Sequence, residues 1–339
     1  MVQAGSGPKQ ADDPSRPKRG FVRKISALIA TVGVMAAVTA CTGPSTYTGC
    51  AIYDSGDSSS VIDAPGEFGS DPQTDFPTPI ISYASEAEEV IAGSGERLTA
   101  GQPARVELSI FNGTTGEAIQ STEHNGQGII SMVGESTLPA VGAALECAKV
   151  GSRLVLAASA QDAHNSTEIP QLNVAADDSF VFVIDVLDAY PAKANGAPQL
   201  PKPGDPAVVL APNGAPGITI PKSGSSSADA PQELVVSLLK SGNGATLEAG
   251  DQAVLHYTGV LWDNNEVFDS SWANGSAVAF DLSKGKLIDG FLQSMVGQEV
   301  GSQVLVVIPP ELGYGDAGSG AVPAGATLVF VVDILGLIG

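Results

Sequence analysis

The feature that most limits the folds open to this chain is that it repeats itself. Gly250-Asp251-Gln252-Ala253 leads through an apolar stretch to Glu266-Val267-Phe268-Asp269-Ser270-Ser271, just as Gly101-Gln102-Pro103-Ala104 leads to Glu117-Ala118-Ile119-Gln120-Ser121-Thr122. Asp269 stands 149 residues after Gln120. Further on, Val300-Gly301-Ser302-Gln303-Val304-Leu305-Val306 answers Val150-Gly151-Ser152-Arg153-Leu154-Val155-Leu156, and Leu328-Val329-Phe330-Val331-Val332-Asp333 answers Phe180-Val181-Phe182-Val183-Ile184-Asp185. A chain of 339 residues with this duplication is expected to build one fold twice.

The stretch from Pro191 to Pro231 is rich in Pro and Gly, carries Ser225-Ser226-Ser227 and lacks sustained apolar periodicity, so it is expected to be a linker. It separates a first block at 81–190 from a second at 232–339. In the second block Ala253 to Leu261, Gln303 to Ile308 and Thr327 to Leu335 are β-rich, the last nearly continuous in apolar residues. Ile288, Phe291, Leu292 and Met295 recur at the spacing of one helical stripe. Several strands with one short helix predict an α+β class, an antiparallel sheet curled over that helix in each block.

The second block contains His256-Tyr257-Thr258-Gly259, Phe268-Asp269-Ser270-Ser271, Leu287-Ile288-Asp289-Gly290-Phe291, Val300-Gly301, Ile308-Pro309-Pro310, Leu312-Gly313-Tyr314-Gly315 and Val322-Pro323 running to Phe330. In order and spacing, over about 105 residues, it resembles the FKBP-type peptidyl-prolyl cis-trans isomerases. The resemblance implies a five-stranded sheet wrapped round a short helix, with a proline ring held between them. It places Tyr257, Phe268, Asp269, Ile288, Phe291, Tyr314 and Phe330 in the catalytic pocket, with Val278, Leu287 and Val322 as further substrate contacts. It also assigns the Ile288 N–H to a substrate carbonyl, and Asp269 and the Tyr314 hydroxyl to polar steering at the rim. Phe291 replaces the Trp found in many members, and Val278 an aromatic; both keep the wall apolar.

The chemistry so implied needs neither cofactor nor metal, because rotation about an X-Pro bond breaks no covalent bond. Taken singly, Phe268, Phe280 and Phe330 read as core aromatics, Tyr257 and Tyr314 as core tyrosines and Asp269 as a turn former. Their joint spacing favours the pocket. Gly313-Tyr314-Gly315-Asp316-Ala317-Gly318 fits GxGxxG without a βαβ context and is set aside. His256 has no nucleophile at a useful spacing and is expected to face outward or to bond locally. Across the repeat Tyr257 becomes Leu108, Phe268 becomes Ile119, Asp269 becomes Gln120 and Tyr314 falls near His164, so the first block is expected to be a degenerate, non-catalytic copy.

At the N-terminus, Arg16, Lys18, Arg19, Arg23 and Lys24 precede the apolar run Ile25 to Ala40, then Cys41. This is the pattern of an export signal over 1–40, and Val38-Thr39-Ala40-Cys41 resembles a bacterial lipobox that would place lipid on Cys41. The run is too short for a membrane-crossing helix of about 20 residues. Residues 41–80, rich in Ser, Thr, Gly, Asp and Pro, are expected to form a flexible tether. Cys50 and Cys147 then remain, either as a disulfide formed in an oxidising compartment or as two free thiols. A net charge of −21 excludes nucleic acid as a partner. The function expected is a monomeric, lipid-anchored isomerase acting outside the cytoplasm on proline-containing polypeptides, the alternative being a non-catalytic peptide-binding module.

Overall fold

The computed structural model of the protein describes residues 53–223, 226–227 and 229–339. The first block folds as strands β1 (Glu86–Ile91), β2 (Pro103–Asn112), β3 (Ala118–Ser121) and β4 (Ile129–Met132), helix α1 (Pro139–Leu145), strand β5 (Arg153–Ala158), helix α2 (Ala160–His164) and strand β6 (Phe180–Ala189). After it come β7 (Ala197–Pro198), β8 (Ala207–Leu210), β9 (Pro216–Thr219), β10 (Lys222–Ser223) and β11 (Ser226–Ser227). The second block follows with β12 (Val235–Ser241), β13 (Gln252–Leu261), β14 (Val267–Ser270), β15 (Val278–Asp281), helix α3 (Asp289–Met295), β16 (Gln303–Ile308) and β17 (Leu328–Ile338).

The two sheets share one topology. In the first the order is β1-β5-β6-β2-β3, with β4 also on β2; in the second β12-β16-β17-β13-β14, with β15 also on β13 and β7 added beside β12. All these pairings are antiparallel. The irregularities repeat as well: bulges at Glu89/Ile91, Arg105/Val106 and Ile110/Phe111 return at Leu238/Lys240, Val254/Leu255 and Gly259/Val260. A bulge fixes where a strand bends, so each sheet curls at the same places over its helix. The class is α+β, two lobes of one design.

Helix α3 has no side-chain cap and only seven residues, too few to hold in isolation. Packing holds it: Phe291 and Met295 enter the core, and Gly290 lies so close to Ile308 that an added Cβ would stand 2.4 Å from its Cγ2. Gly297, at φ +88°, turns the chain away past its end.

The tether and linker expectations do not hold over the described residues, because the sheets are apolar on both faces. Every residue of β5 and of β16 is buried. One face packs on the helix; the other needs a cover, and the segment ahead of each lobe supplies it. In the first lobe Ile62, Ala64 and Ile80 close over Val155, Ala157, Val181 and Val183. In the second, Ile218 and Ile220 close over Val260, Trp262, Leu305, Val307, Val329 and Val331. Residues 53–80 and the greater part of 191–231 are therefore folded structure, and Gly, Ser and Pro in them serve turns such as that joining β8 to β9.

The same strand position pins both covers. Arg153, wholly buried, donates from Nε to Asp185 Oδ1 at 2.6 Å and from Nη2 to Asp185 Oδ2 at 2.7 Å, and its guanidinium also reaches the carbonyls of Ala64, Gly66, Glu67 and Ser70. In the second lobe Gln303 donates to Asp333 Oδ1 at 2.6 Å, and Asp333 Oδ2 accepts the Ala194 N–H at 2.8 Å. A smaller apolar cluster of Met132, Tyr190, Val254, Ala277 and Leu335 joins the lobes, the Tyr190 ring lying against Gly336 where a Cβ would be 2.3 Å from it.

The Cys41 and Cys50 expectations, like the export signal, lie outside the described residues. Cys147, just after α1, is disulfide-bonded.

Candidate functional site

Strand alternation builds the site of the second lobe. Tyr257 on β13 and Phe330 on β17 point to the concave face with the helix residue Phe291, and β14 brings Phe268 and Asp269 to the rim. Their rings form a continuous box. Phe330 meets Phe268 edge-on at 5.4 Å, Phe291 edge-on at 5.3 Å and Tyr257 at 6.3 Å; Phe280 stacks on Phe291 at 5.5 Å and takes the edge of Tyr257 at 5.5 Å. Edge contacts of this kind add about 0.5–1.5 kcal/mol each beyond area burial, which holds the walls rigid. The box opens into a cavity of about 330 Å³.

Polar groups are few. The Tyr257 hydroxyl donates to Asp269 Oδ2 at 2.5 Å, and Asp269 Oδ1 accepts from Asn274 Nδ2 at 3.4 Å. Burial first, then the Asp269 carboxylate, raise the Tyr257 hydroxyl far above the ordinary tyrosine value, so it remains a donor. Ile288, at the N-cap of α3, lines the cavity, and among the described residues its N–H has no acceptor. The arrangement can therefore hold an apolar ring in the box and offer an N–H to a carbonyl beside it.

Of the residues singled out from sequence, Tyr257, Phe268, Asp269, Leu287, Ile288, Phe291, Tyr314 and Phe330 meet at this cavity. Val278 and Val322 do not line it. Val278 sits at the outer end of β15 opposite Leu255 and is 37% exposed, its side chain too short to reach in. Val322 is packed into the core beneath, held by a tight bridge to Ser319. Phe280, which singly reads as core, is a wall of the site; the signal for it was alternation, since it lies two residues beyond Val278 on the same strand face. Gly285 and Lys286 also line the cavity, and nothing in their residue types announced it. His256, expected outward or locally bonded, is buried and bonds to Ser271 Oγ at 2.9 Å.

Gly259 is what lets Phe268 close the box: a Cβ there would lie 2.5 Å from Phe268 Cζ and 2.9 Å from Phe330 Cε1. Gly259→Ala is expected to push Phe268 off Phe330 and to lower stability by about 1–3 kcal/mol, read by urea unfolding; an unchanged midpoint would mean the ring yields freely. The matching residue of the first lobe is Ile110, with a side chain where Gly259 has none, and the register places Leu108, Ser131 and Val141 where Tyr257, Phe280 and Phe291 stand. Phe182 alone remains of the five rings, so the first lobe lacks the box.

Comparison with known proteins points to the same lobe. Residues 244–335 match the family model described as FKBP-type peptidyl-prolyl cis-trans isomerase. The probable FK506-binding protein of Corynebacterium glutamicum is 41% identical over 106 residues, 31% of this chain and 88% of that one. The FK506-binding protein of Streptomyces anulatus is 37% identical over 107 residues, 31% of this chain and 86% of that one. FK506-binding protein 2B of Rhizopus delemar is 48% identical over 88 residues, 26% of this chain, and the match spans less than half of that protein, 42%. By these matches, and with an aromatic box at the positions that carry them, the chain belongs to the FKBP-type peptidyl-prolyl cis-trans isomerases.

Proposed function

We propose that this protein accelerates rotation about X-Pro bonds in exported polypeptides while anchored through lipid on Cys41 at the outer face of a cell membrane. The observation that carries the catalytic part is the closed ring box beside an N–H with no internal acceptor. Amide resonance sets a barrier of about 18–20 kcal/mol to this rotation, and uncatalysed isomerisation takes tens of seconds or more. The box receives the proline ring, and the Ile288 N–H takes a substrate carbonyl. As the bond twists, its nitrogen lone pair localises and the amide loses its double-bond character. A pocket without water, shaped to the twisted amide better than to either planar form, lowers the barrier. Asp269 and the Tyr257 and Tyr314 hydroxyls orient the chain at the rim.

The disulfide at Cys147 supports the extracytoplasmic part, because such bonds persist in oxidising compartments. So does the lipobox-like sequence before Cys41. The first lobe, lacking the box, supports or positions the second and does not isomerise.

The test is protease-coupled isomerisation of a Leu-Pro peptide by the full-length protein beside a folded Asp269→Leu/Tyr314→Phe variant, with Cys41→Ser fractionated in parallel. Expected are acceleration by the wild type, a loss of about tenfold or more in the double variant, equivalent to at least roughly 1.4 kcal/mol, and release of Cys41→Ser from the membrane fraction. No acceleration by folded wild type would leave a docking module in place of an enzyme.

A further inference from the structure

Behind β13, on the face opposite Tyr257, residues of both lobes line a second, open cavity of about 770 Å³. Its second-lobe wall holds His256, Trp272 and Asn274; its first-lobe wall holds Met132, Glu135 and Thr137. His256 is 2% exposed and stacks on Trp272 with ring centres 3.9 Å apart and planes at 18°. Its Nδ1 bonds to Ser271 Oγ, while Nε2 is buried and has no hydrogen-bond partner among the described residues. A buried polar nitrogen without a partner is destabilising, and it belongs to a residue of the cavity wall.

This cavity and the proline pocket come close at the edge strand β14. Asp269 lines the pocket and Trp272 the cavity, and three Cα steps separate them, at most about 11 Å. Asn274, in the cavity wall, donates to the same Asp269 carboxylate that receives the Tyr257 hydroxyl. A polypeptide with its proline in the box would pass round this edge to reach the cavity, which takes at least three or four extended residues at about 3.3 Å each. The wall chemistry suits such a chain. A flat indole and Met132 take apolar side chains, Asn213 and Asn274 meet backbone amides, and one acid and one base, Glu135 and Lys193, leave no dominant charge to demand an ionic ligand.

From this we infer that the interlobe cavity is a second subsite for the substrate, receiving the extended polypeptide flank of the proline held in the box, with the first lobe as its far wall. The inference rests on the isomerase reading of the pocket. It gives the first lobe, which lacks the rings, a part in substrate selection: long, unfolded proline-containing chains are preferred to short peptides.

The test compares the full-length protein on a four-residue Leu-Pro peptide and on a twelve-residue uncharged peptide with the same Leu-Pro at its centre. Expected is a kcat/KM on the long peptide about tenfold above that on the short one, the worth of one well-buried aromatic contact. Thr137→Trp, which fills the cavity from the first lobe's exposed edge, and Trp272→Ala are each expected to bring the long peptide down to the short one's value and to leave the short one unchanged. Equal values for both peptides in the wild type would overturn the subsite while leaving the isomerase intact, as would equal losses on both peptides in the variants. If the wild type turns over neither peptide, the isomerase reading fails first. Fluorescence anisotropy of the labelled long peptide then decides the cavity: weaker binding by Thr137→Trp supports it, and unchanged binding overturns it.

Discussion

Arg153→Gln is expected to destabilise the first lobe by about 3–5 kcal/mol, the cost of breaking a buried ion pair from one side. The substitution copies the second lobe, where Gln303 meets Asp333, yet the two sites ask for different numbers of donors. Glutamine can satisfy Asp185 but cannot also serve the carbonyls of Ala64, Gly66, Glu67 and Ser70, which the guanidinium gathers. Lysine would fail for the same reason, being one compact charge on a flexible stem. Urea unfolding followed by amide exchange along β5 should show the loss, with protection of residues 60–70 falling first. A change under about 1 kcal/mol would show that the carbonyls find water as readily as arginine.

The second large effect is acid lability. Burial lowers the His256 pKa from 6.5 to about 4, because charging the ring between Trp272 and the sheet removes an ion from water. Between those values the unfolded chain binds a proton that the folded one refuses, so stability falls as pH falls. The window opens near pH 6.5 and closes near pH 4, with a total of up to about 3 kcal/mol. Asp333 runs the opposite way: burial raises its pKa, which favours the folded state in acid and withdraws that support as pH rises. Comparison with His256→Gln isolates the histidine. The variant should lose less stability between pH 7 and pH 4 than the wild type, and parallel curves would show that the imidazole charges without penalty.

The lobe architecture and most of the box were legible because both depend on local regularities. Strand alternation, the Ile288–Phe291–Leu292–Met295 stripe and the repeat each leave a trace in neighbouring residues. Phe280 was hidden because an aromatic on a strand reads equally as core, and only the short Val278 beside it leaves Phe280 to form the wall. The covers at 53–80 and 191–231 were misread because Gly, Pro and Ser describe turns, while the few residues that hold the cover, Ile62, Ile80, Ile218 and Ile220, are scattered without period. A clue to them lay elsewhere. Runs as apolar as Leu154–Ala158 and Val304–Ile308 are buried on both sides, and a buried Asp on each of two apolar strands, Asp185 and Asp333, requires polar partners, some of which come from the covers as the N–H groups of Gly69 and Ala194.

Each cover precedes in the chain the sheet it covers, so a lobe is complete only together with the segment ahead of it. A fragment cut at Gln232, where composition alone would cut, keeps the ring box but bares Val260, Trp262, Leu305, Val307, Val329 and Val331 together. A patch of that kind on a soluble protein drives self-association. During synthesis the order works in the protein's favour: the leader has already left the ribosome when the adhesive back of its sheet forms, so each sheet emerges into its own wrapping.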